Sequence, residues 1–231
     1  SFDTTGWLAR DARSFVRASE VMLGESIASA ATPALASELA SELVIAVDAF
    51  GIADGAVRDA LQPAVVQLGA LIGSVREETM APPGLSVWAR AQRTLQPYEA
   101  YQTFKEWIDR DNPRFAFSVA RNLLSAQSIT AVERQWAALM RDEARARMHH
   151  LLRDGAVLCL PSTPFPAPLK GLRVSEQDVL RNRITCLCSH AGLSGVCQVS
   201  IPVAVVGGLP IGLSIVGARG ADAQLVGLAC A

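Results

Sequence analysis

One short segment of the sequence begins like the strand-to-helix turn on which many hydrolases expose a nucleophilic serine. Residues 192–196 are Gly-Leu-Ser-Gly-Val. The tight turn requires a small residue at its fifth position, and Val196 occupies that position instead. The segment therefore does not predict a nucleophile at Ser194.

The residues that could exchange protons are few and scattered. His149 and His150 are neighbours in a helical pattern, so their side chains point about 100° apart and do not easily form a relay or share a metal ion. We expect both to be solvated. The carboxylates at 77–78, Asp109 and Asp111 lie in polar segments, where burial strong enough to separate their pKa values is not expected. Acid–base catalysis by these groups is not predicted.

The five cysteines are an odd number and lie mostly within apolar runs. They are Cys159, Cys186, Cys188, Cys197 and Cys230. This pattern predicts reduced, buried thiols in a cytoplasmic protein. Cys186, Cys188 and the nearby His190 have a spacing that could chelate a metal ion. No second pair stands at a zinc-finger distance, so no metal site is predicted.

Composition and charge are those of an ordinary globular protein. Of the 231 residues, 50% are hydrophobic and 19% are charged, which predicts one domain over residues 1–231. Twenty-one Lys and Arg against 22 Asp and Glu give a formal net charge of −1. Without a basic excess, nucleic acid is not expected as a partner. Dinucleotide, nucleotide and zinc-protease motifs are absent, so no cofactor is predicted.

Periodicity and capping residues predict the longer helices. Residues 7–23 and 53–72 repeat apolar positions with the helical period. Thr130 and Glu133 have the spacing of a capping box, which begins a long helix that ends near Gly155.

Two further stretches are predicted as helical with less regular patterns. A capping signal at 175–178 opens a helix that runs toward Ser189. The aromatic-rich stretch 85–122 is predicted as short helices broken at Pro97 and Pro113, because proline disfavours a helix interior.

Short apolar runs predict the strands. Residues 43–47 and 156–160 are predicted as buried strands, and the second leads into a stiff loop at 161–168 that contains four prolines.

Residues 1–7 carry no initiator Met, basic leader or apolar block. A signal peptide is therefore not predicted, and the chain is expected to begin inside a domain.

The stretch 191–218 contains no charged residue, and its length would suit a membrane span. Prolines and glycines within it would break such a helix, so we predict two strands at 198–206 and 211–216 and no membrane association. Uncharged neighbouring strands are expected in the middle of a sheet whose two faces are covered by helices, which is an α/β architecture.

Four segments, in chain order, resemble the second half of the amidase signature family. They are residues 1–11, the proline-rich residues 160–168, residues 191–202 and residues 208–217. The residues of these segments look most similar to those of plant-type indole-3-acetamide amidases and of the amidase-like domain of a chloroplast import receptor. That domain is thought not to be catalytic. The resemblance implies a mixed central β-sheet with helices on both faces, in a chain that lacks the family's N-terminal half.

The resemblance also implies a chemistry. The family hydrolyses small carboxamides, including arylacetamides, to a carboxylic acid and ammonia with a serine, a second serine on a cis peptide bond, and a lysine. No segment matches those motifs, and Lys105 and Lys170, the only lysines, stand in other contexts. No catalytic residue is therefore assigned, and this chain alone is predicted to be inactive.

The resemblance places part of a substrate pocket in this chain. Ser162 and Thr163 fall in the loop that approaches the acyl side of the substrate, and Phe104 or Trp107 could line an apolar cavity for an aromatic group. Packing is the alternative role for each.

A non-catalytic module that binds a protein is the alternative function. As partners besides the substrate we expect a homodimer or a complementary N-terminal polypeptide, because incomplete sheets expose apolar edges.

Overall fold

The computed structural model describes residue 2 and residues 4–27 and 39–230. In this part of the chain five strands form one mixed sheet with the order β2-β1-β3-β5-β4. They are β1 (Leu43–Ala46), β2 (Val75–Glu78), β3 (Val157–Pro161), β4 (Cys197–Val206) and β5 (Leu209–Gly217). β1 is parallel to both β2 and β3, whereas β5 is antiparallel to both β3 and β4.

Helices cover both faces of this sheet. They are α1 (Ala12–Leu23), α2 (Val47–Ile52), α3 (Gly55–Ile72), α4 (Leu85–Asp111), α5 (Phe117–Gln127), α6 (Ala131–Leu151), α7 (Val174–Ser194) and α8 (Asp222–Ala229). The predicted α/β architecture with a mixed, doubly covered sheet is confirmed. None of the helices in the described ranges is long and apolar enough to cross a bilayer.

The central strand β3 divides the core into two layers. Leu158 and Leu160 join the cluster formed with α4, α6 and α7, while Val157 and Cys159 join the cluster formed with α3. Successive side chains of a strand point to opposite faces, so an entirely apolar strand can supply both layers. All five residues of β3 are buried.

Helix α4 corrects the prediction of short helices. It runs unbroken through Pro97 for 27 residues, and only Pro113 lies in a break, between α4 and α5. A proline costs about 3 kcal/mol in a helix interior. The packing of α4 against both α6 and α7, with Trp88 fully buried and Leu95 nearly so, outweighs that cost.

Helix caps follow the sequence in one case and depart from it in another. The capping box of α6 is confirmed, since Glu133 accepts from the Thr130 amide at 2.8 Å and the Thr130 hydroxyl accepts from the Glu133 amide at 3.2 Å. The box predicted at 175–178 is wrong. The N-cap of helix α7 is Arg173, two residues before Ser175, and Glu176 accepts a hydrogen bond from the Arg173 amide at 2.8 Å.

The position of β4 is the second correction. Both late strands were predicted in the middle of the sheet, but only β5 has a neighbour on each side. β4 lies at the edge in the described part of the chain, and its residues alternate between partly buried and exposed. The reason is that β4 pairs with β5 alone, so one row of its backbone groups has no strand partner there.

Cysteines and histidines largely follow the prediction. The five thiols are free, but the prediction that they are buried holds only for Cys159, since Cys188 is exposed and the other three are partly buried. His149 and His150 are exposed, as expected. Glu78 lies on the edge strand β2, where Arg147 hydrogen-bonds it and lowers its pKa.

Candidate functional site

Three serine hydroxyls from three adjacent strands meet at one end of the sheet. Ser162 follows β3, and its amide donates to the Gly212 carbonyl of β5 at 2.9 Å. Its hydroxyl oxygen lies 2.8 Å from that of Ser214 on β5 and 2.6 Å from that of Ser200 on β4. Ser200 and Ser214 are direct cross-strand partners, which is why both can reach the same third hydroxyl.

A buried histidine extends this cluster into the protein. The side-chain amide of Gln198 donates to the Ser214 hydroxyl at 2.8 Å. Its carbonyl oxygen lies 3.1 Å from Nε2 of His190, which is completely buried in α7. We call these five connected side chains, His190, Gln198, Ser214, Ser162 and Ser200, the serine network.

Only one hydrogen-bond direction in the serine network is fixed by its atoms. An amide nitrogen only donates, so the Ser214 oxygen accepts from Gln198. Between Ser162 and Ser214, and between Ser162 and Ser200, either hydroxyl can be the donor. When Ser214 donates to Ser162 and Ser162 donates to Ser200, the proton of Ser200 is left for a group outside the network. The network therefore ends in an exposed hydroxyl, that of Ser200.

His190 is neutral at physiological pH. Burial lowers its pKa from 6.5 to about 4, and hydrogen bonding with the Leu187 backbone and then with Gln198 opposes this shift without cancelling it. A neutral ring carries one N–H, and its Nε2 lies 3.1 Å from the side-chain oxygen of Gln198.

This buried histidine predicts a pH-dependent stability. Below pH 6.5 the unfolded chain takes up a proton that native His190 accepts only near pH 4. The free energy of unfolding should therefore be constant above pH 6.5 and fall by roughly 3 kcal/mol as the pH drops toward 4. Urea unfolding at several pH values measures this. His190→Gln should flatten the profile between pH 7 and 5, and an unchanged profile would contradict the assignment.

Gly212 makes the close approach of the serines possible. A Cβ at this position would lie 2.7 Å from the Ser162 hydroxyl oxygen and 2.8 Å from that of Ser200. Both hydroxyls would have to rotate out of their hydrogen bonds. Sequence alone does not distinguish this glycine from the others of the loop and strand.

Gly212→Ala is therefore expected to destabilise the protein by about 1–3 kcal/mol, as overpacking usually does. The shift in the urea midpoint measures this effect. Gly51→Ala is the matched control, because no atom lies within 4 Å of its added Cβ and the position is helical. That change should leave stability unchanged or raise it by up to about 1 kcal/mol. Equal effects of the two substitutions would argue against steric crowding at the serines.

Two cavities border β4 beside the serine network. The first, of about 460 Å³, lies between residues 4–7, β4 and the loop at Arg219. The second, of about 540 Å³, lies between residues 7–12, β4 and the end of α8. Trp7, Phe15, Gln198 and Val199 line both cavities, and Ser200 lines the second.

The four predicted pocket residues fall into two groups. Ser162 is in the serine network, and Thr163 is partly buried beside it. Phe104 and Trp107 lie on α4 with 50% and 39% of their surface exposed, in edge-to-face contact with each other. Neither aromatic residue lines the two cavities at β4. Their pocket role stays a prediction.

Sequence reasoning missed most of the serine network. Gln198 and Ser200 stand two residues apart within an uncharged run, which places them on one face of a strand. That spacing was a signal for a polar face. Ser214 and His190 carried no comparable signal, because only the pairing of β4 with β5 brings them close.

The lysines lie away from these hydroxyls. Lys105 hydrogen-bonds Asp109 on the exposed side of α4. Lys170 is exposed in the loop after β3. Within the ranges that the structure describes, neither lysine donates to a serine, so they do not form the lysine–serine arrangement that activates a nucleophile.

Comparison with known proteins shows sequence similarity to amidases over nearly the whole chain. The family model described as Amidase matches residues 1–226. Amidase 1 of Oryza sativa subsp. japonica is 29% identical over 96% of this chain and 55% of its own length. Amidase 1 of Arabidopsis thaliana is 27% identical over 99% and 59%. Outer envelope protein 64, chloroplastic, of Arabidopsis thaliana is 24% identical over 98% and 41%.

Solved structures show the same similarity. A crystal structure of an amidase superposes with a TM-score of 0.75 and 26% identity, covering 95% of this chain and 50% of that one. A bacterial aryl acylamidase of the amidase signature family has the same fold, with a TM-score of 0.65 and 15% identity over 82% and 42%. The chain spans about half the length of the curated amidases that it matches, 55% and 59%.

Proposed function

Because the chain belongs to the amidase family, we propose that it forms the C-terminal part of an enzyme that hydrolyses a small, aryl-substituted carboxamide to the carboxylic acid and ammonia. The single observation that carries this proposal is the family match, which extends over residues 1–226 of 231. The geometry is compatible with a role of this chain as one wall of a substrate pocket, because the serine network and the two cavities lie side by side.

The catalytic serine, the serine on a cis peptide bond and the lysine belong, in this proposal, to sequence N-terminal to residue 1. Two observations support that arrangement. The chain spans 55% and 59% of the two amidase relatives, and its lysines make no hydrogen bond to a serine in the described residues. Amide hydrolysis by this route needs a serine whose proton is drawn toward a base. No metal or cofactor takes part in the proposed step.

This chain contributes the wall that faces the substrate. Ser162 and Thr163 directly follow a buried central strand, which supports the proposal that they approach the acyl side of the substrate. Apolar surface for the aryl group comes from Trp7 and Phe15, which line the cavities at β4, whereas the predicted pocket residues Phe104 and Trp107 line neither cavity. Aromatic walls with a few polar groups are typical of sites for small molecules.

Ammonia release tests the proposal. The full polypeptide that carries these residues is assayed with phenylacetamide and with acetamide at equal concentration. Faster release from phenylacetamide is expected, because the aryl group adds apolar contact. A folded polypeptide that releases ammonia from neither substrate would contradict the proposed reaction.

A non-catalytic module that binds a protein is the second candidate. The 24% identity to outer envelope protein 64 over 98% of this chain favours it, as does the edge of β4, which has no strand partner among the described residues. The N-terminal sequence discriminates between the candidates. An intact lysine and two serines favour the enzyme, whereas their replacement favours the module.

The partner and the cytoplasmic location are proposals as well. The β4 edge, which has no strand partner in the described residues, could pair with a second copy or with a complementary N-terminal polypeptide. Native mass spectrometry separates the two, because a homodimer has twice the mass of the 24.5 kDa chain and a complex with another polypeptide does not. Five free thiols are consistent with a reducing compartment.

A further inference from the structure

We infer that Ser200 is a ligand-binding residue, which donates its hydroxyl proton to the carbonyl or carboxylate oxygen of a small aryl-substituted molecule held in the 540 Å³ cavity. This inference deepens the proposed function and rests on it, because an arylacetamide and the acid it yields both carry such an oxygen. It assigns the polar contact to Ser200 and the aryl contact to Trp7 and Phe15.

The exposed end of the serine network is the first argument. Gln198 donates to Ser214, and in the proposed arrangement Ser214 donates to Ser162 and Ser162 donates to Ser200, which leaves the Ser200 proton for a ligand. Ser214 is fully buried, whereas Ser200 is exposed and lines the cavity. An acceptor on the ligand would complete the series of hydrogen bonds. Each bond in such a series strengthens the next, so the terminal hydroxyl is a better donor than an isolated serine.

A preorganised aromatic wall is the second argument. The indole nitrogen of Trp7 donates to the hydroxyl of Ser19 at 2.9 Å, and Ser19 is completely buried in α1. The ring of Trp7 also contacts that of Phe15, with centroids 6.3 Å apart. Both rings are held in place before a ligand arrives, so binding loses little side-chain entropy.

The size and polarity of the cavity are the third argument. A volume of about 540 Å³ is within the range of small-molecule sites. Leu8 and Ile201 add apolar surface to the aromatic rings, while Ser200, Gln198, Arg10 and Asp11 supply the polar groups. Such a site orients a molecule that has one apolar end and one hydrogen-bond acceptor.

Binding to the 231-residue chain tests the inference. Phenylacetamide, phenylacetate and propylbenzene are titrated into ¹⁵N-labelled protein, and the Trp7 indole signal is followed by NMR. Saturable binding of phenylacetamide is expected, and propylbenzene reports the apolar contact alone. Phenylacetate distinguishes the acid product from the amide. Ser200→Ala should weaken phenylacetamide binding about tenfold, the typical effect of one hydrogen bond, and leave propylbenzene binding unchanged.

Two further variants test the hydroxyl and the direction of the network. Ser200→Thr keeps the hydroxyl and should bind phenylacetamide within about twofold of the original chain. Gln198→Glu replaces the donor by an acceptor, so each serine proton must turn inward and Ser200 loses its free proton. It should weaken binding of neutral phenylacetamide as much as Ser200→Ala does. Thermal unfolding confirms that each variant is folded.

Two outcomes would overturn the inference: the absence of saturable phenylacetamide binding to the folded chain, and equal affinity of the original chain and Ser200→Ala. Neither outcome bears on ammonia release, which is measured on the full polypeptide. Conversely, intact binding with no hydrolysis by that polypeptide would contradict the proposed reaction and leave the binding site standing.

Discussion

The 231-residue chain alone is expected to release ammonia from phenylacetamide no faster than buffer does. The serines of the network have no lysine as a hydrogen-bond partner in the described residues, and buried His190 is already committed to Gln198. A serine hydroxyl without a base is a weak nucleophile. Loss of an activated nucleophile typically lowers kcat by a factor on the order of 10⁶, which is below detection here.

A coupled ammonia assay over several chain concentrations measures this. Heat-denatured chain is the control for ammonia released by side-chain deamidation. Ammonia release that rises in proportion to native chain would contradict the expectation. In that case Ser162→Ala and Ser200→Ala would show whether a hydroxyl of the serine network acts as the nucleophile.

Trp88→Ala is expected to lower the free energy of unfolding by about 3–5 kcal/mol, the usual cost of removing a buried tryptophan. Trp88 is completely buried where α4 packs against α6, and its indole nitrogen donates to Glu143 at 2.6 Å. The substitution leaves a cavity and an unpaired carboxylate oxygen. Urea unfolding followed by circular dichroism measures the change.

Trp107→Ala is the matched control on the same helix. Trp107 is 39% exposed, and its ring contacts the neighbouring rings of Phe104 and Phe115. Its removal should cost about 1 kcal/mol or less, because its surroundings can relax into solvent. Similar shifts for the two variants would show that α4 does not derive its stability from the packing of Trp88.

The proposed ligand site and the proposed partner surface both lie along strand β4. Both cavities, two members of the serine network and the free row of backbone groups lie along it. Pro202 and a register shift between Pro202 and Ala204 interrupt regular pairing on this strand. Such features discourage indiscriminate strand addition. The proposed ligand and the proposed partner therefore meet the same part of the molecule.

The family and most elements could be predicted from local patterns. The entirely apolar β3, the capping box at Thr130 and the proline-rich loop that carries Ser162 are each encoded within a few residues. The exceptions share a cause. Helix α4 continues through Pro97 because it packs against two other helices, and β2 forms from polar residues because β1 offers its edge. Neither partner can be seen from the local sequence.

Sequence by itself determined the family, the α/β class, and the apolar and polar segments of this protein. Tertiary structure alone decided that β4 is an edge strand and that Ser162, Ser200 and Ser214 share hydrogen bonds. The physical reason is that alternation and capping act over a few residues, whereas strand order and register join distant residues, such as Ser162 and Ser214, which are 52 positions apart. The contact of Gln198 with Ser214 likewise exists only because that register places the two residues side by side.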